Sequence, residues 1–83
     1  MNGLFSYMIQ FNQSLEYWDV SNVTDMNGLF YASIAFNQPL KTWRVHNVVD
    51  MSYMFCIAKS FNQDISEWDV SKVRNMSHMF YDA

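Results

Sequence analysis

The stretch Phe61-Asn62-Gln63-Asp64-Ile65-Ser66-Glu67-Trp68-Asp69-Val70-Ser71-Lys72-Val73, followed by Met76-Ser77-His78-Met79-Phe80, carries the pattern that organises the whole chain. Its skeleton occurs twice upstream, beginning at Phe36-Asn37-Gln38 and at Phe11-Asn12-Gln13. Sliding the sequence by 25 residues makes 28 of the 58 overlapping pairs identical, far above what composition gives. A fixed period of this length is the signature of a repeat array. The 83 residues divide into units 1–25, 26–50 and 51–75 with a partial unit 76–83, read as a single repeat domain over 1–83.

The columns show what each unit requires. Position 1 is Met1, Met26, Met51 and Met76, and position 5 is Phe5, Phe30, Phe55 and Phe80. Phe11, Phe36 and Phe61 open the Asn-Gln pairs, and Trp18, Trp43 and Trp68 lead into Val20, Val45 and Val70. Every Phe and Trp falls in such a column, so the aromatic content of 18% reads as architecture rather than as a ligand box. The Asn and Gln columns read as side-chain amides stacked at a corner, satisfying backbone groups that the turn leaves unpaired.

Positions 1, 4, 5 and 8 (Met51, Met54, Phe55, Ala58) follow the apolar stripe of a short amphipathic helix. Asp25, Asp50 or Asn75 stands before it, in the place of an N-cap. Around Trp68-Asp69-Val70 the period becomes two and the residues favour strands. A unit of this size cannot bury its own apolar face, so units should stack, with parallel strands on a concave side. The expectation is an α/β right-handed solenoid of three strands and four helices.

Composition narrows the function classes. Net charge is -3 and only 16% of residues are charged, which leaves no basic stripe for nucleic acid. The single cysteine, Cys56, excludes an intramolecular disulfide. No apolar run reaches a membrane span of roughly 18 residues, and Met1-Asn2-Gly3-Leu4 does not open like a signal peptide. His46 and His78 fit no metal spacing, and the serines form no nucleophile motif, so neither an enzyme nor a cofactor is expected.

The contact positions are read from the outward columns. Column 19 runs Asp19, Arg44, Asp69, with Tyr17, Thr42, Glu67 and His46 beside it. On adjacent strands this is an acid–base–acid ladder, and as exposed ion pairs it is worth under about 1 kcal/mol. As the variable set of a concave face it reads as a protein-contact site. The outward helix positions carry Tyr31, Tyr53, Cys56 and Tyr81, a surface for self-association into a homo-oligomer. The partner is thus a protein or a second copy of the chain.

The string FNQ-x-[LI]-x-x-W-x-V-x-x-V, as in Phe61 to Val73, resembles the 25/26-residue repeat of bacterial surface proteins. These are described as BspA-like, related to leucine-rich repeats, and often lipoproteins. The spacing Ile65, Trp68, Val70, Val73 is similar to the first part of a leucine-rich repeat. The resemblance implies a leucine-rich-repeat-like solenoid, an extracellular or cell-surface location, and a role in adhesion or protein contact. It supplies no catalytic residues.

Overall fold

The computed structural model describes residues 1–83, the whole chain. It contains no helix, and its only strand-like pairings are the isolated parallel bridges Asp25–Asp50 and Asp50–Asn75. The expected α/β leucine-rich-repeat-like solenoid, with three strands and four helices, is therefore not the fold. The chain is instead built from tight turns.

The reason lies in where the amides go. In a helix each amide donates four residues back along its own segment. Here the amides of Met26, Gly28, Phe30 and Ala32 donate forward to the carbonyls of Asp50, Ser52, Met54 and Cys56, at 2.8–2.9 Å. The interleaved amides of Leu29, Tyr31 and Ser33 close onto residues three back, at 3.0–3.2 Å. Gly3 and Gly28 have φ near +60°, as do Tyr53 and His78 in the same column. Tyr7, Ala32, Ile57 and Asp82 repeat this four residues later. A positive φ at the third residue is the mark of a type II turn and ends a right-handed helix. The spacing at positions 1, 4, 5 and 8 still turns the apolar residues inward, which is why it mimics a helix.

Asp25, Asp50 and Asn75 do accept from the backbone, yet there is no helix to cap. Asp50 Oδ1 accepts from the amide and the hydroxyl of Ser52, at 2.8 and 2.6 Å. Asp25 and Asn75 accept likewise from the amides of Asn27 and Ser77. These are Asx turns, the local alternative that Asp and Asn side chains offer a chain.

The expected strand also bends. The amides of Trp68 and Val73 close turns onto Ile65 and Val70, at 3.1 and 3.0 Å. What links units here is side chain to backbone. The indole Nε1–H of Trp68 donates to the Leu40 carbonyl at 2.9 Å, and the corner amides bridge adjacent units. The amide of Asn37 donates to Asn12 Oδ1 at 2.8 Å, and that of Asn62 to Asn37 Oδ1 at 2.9 Å. Asn12 itself is exposed at the first turn of this row.

Two phenylalanine stacks form the core. Phe30 lies between Phe5 and Phe55, with centroids 5.5 Å from each and planes within 8°. Phe36 packs beside it at 4.2 Å and stacks on Phe11 and Phe61. Such pairs contribute about 0.5–1.5 kcal/mol each beyond the area they bury. Met26, Leu29, Leu40, Val48, Met51 and Met54 fill the remaining interior. The buried Ser33 hydroxyl donates to the Phe5 carbonyl, and no buried side-chain polar atom is left unpaired.

Candidate functional site

The turn between Leu40 and Trp43 and the one between Val45 and Val48 hold Thr42, Arg44 and His46 on the outside of the middle unit. Leu40, Trp43, Val45 and Val48 are buried, so the intervening side chains are anchored at both ends. Thr42 and Arg44 belong to two adjoining depressions. One, of about 350 Å³, is lined by Tyr17, Asp19, Thr42 and Arg44 with Glu16, Trp18 and Val20. The other, of about 460 Å³, is lined by Thr42, Arg44, His46, Glu67 and Asp69 with Lys41, Trp43 and Val45. All seven residues of the expected contact face thus line one or both hollows.

The charges there are arranged differently from an acid–base–acid ladder. The one ion pair in the chain joins Lys59 to Asp82 at 3.0 Å, far along the sequence from Arg44. The carboxylate of Asp19 is engaged by its own turn: Oδ1 accepts from the Ser21 hydroxyl at 2.6 Å and its amide at 3.0 Å. Those bonds hold Asp19 below its ordinary pKa, with a smaller contribution from Arg44. Ser71 does the same for Asp69, helped less by His46 and Lys72, and the Ser71 amide donates at 3.0 Å. The two acids are ionised and locally fixed, and the Arg44 guanidinium stands exposed between them without an ion-pair partner. Thr42 is tied to the preceding unit, its hydroxyl donating to the Glu16 carbonyl at 3.2 Å.

The expected self-association set is split by the structure. Cys56 is buried at 2% exposure beneath the turn from Tyr53, and burial raises its thiol pKa. It is therefore not part of any surface, because the position lies inside a turn rather than on the outer side of a helix. Tyr53 and Tyr81 are exposed and Tyr31 is half-buried. Tyr31 sits 5.3 Å from Tyr7 and 6.1 Å from Tyr53, and Tyr53 stacks on His78 at 5.0 Å. The Tyr31 phenol is raised above its ordinary pKa, chiefly by Tyr7.

Tyr7 and His78 were not anticipated in this row. For His78 the signal was the third column, where Gly3 and Gly28 give way to Tyr53 and His78, all at positive φ, whereas Tyr7 stands in the seventh column, also at positive φ. Beside Gly3 and Gly28 lies a further hollow of about 360 Å³, lined also by Asn2, Ser6, Tyr7, Asn27, Tyr31 and Tyr53. No three His, Cys, Asp or Glu side chains come together in a metal-binding arrangement. No helix is long and apolar enough to cross a membrane.

One family model matches the chain over residues 1–83, and it is described as "Mycoplasma protein of unknown function, DUF285". No curated protein and no solved structure matches.

Proposed function

The chain belongs to the DUF285 family of Mycoplasma proteins of unknown function, and on that premise we propose a non-catalytic repeat module that recognises another protein. The observation that carries this reading is the exposed, unpaired Arg44 guanidinium between two hollows whose rims are rigid turns. An unpaired guanidinium offers a planar fork to a partner carboxylate or carbonyl. Asp19, Glu67 and Asp69 around it would reject a partner whose charges are misplaced, a contribution to specificity more than to affinity. The likeness of the Phe61–Val73 string to bacterial surface repeats supports a place on a surface protein, often a lipoprotein in that group, and hence an adhesive role.

The test is a parallel pull-down from Mycoplasma and host membrane fractions with the wild-type chain and Arg44→Glu. A protein retained by the first and lost with the second, at equal stability of both chains, supports the reading. Identical capture by both chains would end it.

Self-assembly is the second reading, and a separate observation favours it. The amides of Met51, Tyr53, Phe55 and Ile57 donate to the following unit, whereas those of Met76, His78, Phe80 and Asp82 have no acceptor in the chain. The ring of Phe80, stacked on Phe55 at 5.5 Å, is half exposed. The carbonyls of Asn2, Leu4 and Ser6 at the other face of the array receive no backbone donor. Such complementary edges suit head-to-tail contact between copies. Light scattering over a hundredfold range of concentration checks it: a constant monomer mass excludes this reading.

A further inference from the structure

We propose that the hollow over Gly3 and Gly28 binds a neutral oligosaccharide. It shares no residue with the two hollows around Arg44, so the inference is independent of the protein-recognition reading.

The floor follows from the third column. Gly3 and Gly28 present no side chain, and Tyr53 fills the same column one unit further on, closing the trough at that end. Tyr7 and Tyr31 form its aromatic wall, with ring centroids 5.3 Å apart and Tyr53 continuing the row at 6.1 Å. This spacing is of the order of one hexose ring in an extended glycan. A tyrosine combines an apolar face with a polar tip, which suits the C–H face and the hydroxyl rim of a sugar.

The polar groups point to the same chemistry. No Asp, Glu, Lys or Arg lines the trough. The Asn2 Nδ2 group donates to Asp25 Oδ2 at 3.3 Å, and the Asn27 Nδ2 group to the Ser52 hydroxyl. Each amide is thereby oriented, and each Oδ1 is left as an acceptor without a donor in the chain. Ser6 adds a hydroxyl. A ligand for this site needs a row of O–H donors, apolar ring faces and no charge. Because the glycine amides and the Asn27 side chain are bonded to the next unit, the Asn2 side chain is bonded to Asp25, and the Tyr rings pack on one another, little ordering is required on binding.

The experiment titrates the whole chain with neutral hexasaccharides of β-1,4-glucose, α-1,4-glucose and β-1,4-N-acetylglucosamine, following amide shifts by NMR. A hyaluronan oligosaccharide serves as the charged comparison. At least one neutral sugar should shift the amides of Asn27, Gly28 and Tyr31. Gly28→Tyr fills the trough with the residue that the third unit already holds at this φ, and should weaken binding at least roughly tenfold. Tyr31→Ala should do likewise, and Tyr31→Phe should retain binding within a few fold. The proposal is overturned if none of the neutral sugars binds, if Gly28→Tyr binds as well as wild type, or if the charged sugar binds best. It is equally overturned if the same amides shift on dilution alone, which would assign the face to a second copy of the chain.

Discussion

The indole Nε1–H of Trp43 donates to the carbonyl oxygen of Leu15 at 2.9 Å, joining two units across 28 residues of chain. Trp68 repeats the bond one unit on, to Leu40, whereas the Trp18 indole has no such acceptor and is half exposed. Trp43→Phe keeps most of the ring but removes the inter-unit donor of the Leu15 carbonyl, which still accepts from the Trp18 amide at 3.1 Å. A loss of about 0.5–1.5 kcal/mol is expected for the one bond, read as a lower midpoint in urea. Trp18→Phe should shift the midpoint far less, and equal losses at the two sites would mean that the bond contributes nothing.

The Asn row yields a similar internal comparison. Asn37 Oδ1 accepts from the Asn62 amide and from the Gln63 side chain, both at 2.9 Å. Asn37→Leu removes an acceptor that serves two donors, and should destabilise by about 0.5–1.5 kcal/mol for each bond lost. Asn62 receives no such bonds from a later unit, so Asn62→Leu should be close to neutral by the same thermal melt.

These two rows mark how far the sequence could be read. Columns 5, 11 and 18 identify the stacked Phe and Trp, because a core residue recurs wherever the same neighbours recur. Columns 12 and 13 identify the corner amides for the same reason. The turn-built backbone was hidden because an inward apolar stripe is produced equally by a helix and by successive turns. Only the third and seventh columns separate the two: Gly3 and Gly28 mark the turn in the third, but Tyr53 and His78 replace them at the same positive φ, and no Gly stands in the seventh, where Ile57 has it too. The rims around Arg44 were legible as outward positions, but their polar engagement was not. Asp19 turns to Ser21, two residues away, and not to the arginine one unit on.

Acid should loosen the chain through its Asx turns. Asp50 is held below its ordinary pKa of 3.8, first by the Ser52 hydroxyl and then by the Ser52 amide. A depressed folded-state value contributes stability that is present above 3.8 and lost as pH falls through the lowered value. Asn75 holds the equivalent place, with Oδ1 accepting from Ser77 at 3.0 and 2.9 Å and no charge to lose. Melting temperature measured from pH 5 down to pH 2 should therefore fall less steeply in Asp50→Asn than in wild type. Superimposable profiles would remove Asp50 from the acid response.

Position 57 separates a turn from a helix directly. Ile57 has φ of +60°, its amide donates to the Tyr81 carbonyl at 2.8 Å, and its side chain is half-buried. A β-branched residue is strained there, while Asn enters the left-handed region with little cost. Ala is the better residue in a right-handed helix, by a few tenths of a kcal/mol or more. The structure therefore orders Ile57→Asn above Ile57→Ala in stability, by up to about 1 kcal/mol. Both variants remove the same half-buried side chain, so the loss of apolar contact largely cancels between them. What remains is the backbone preference, and a more stable Ala variant in chemical denaturation would restore a helix to this segment.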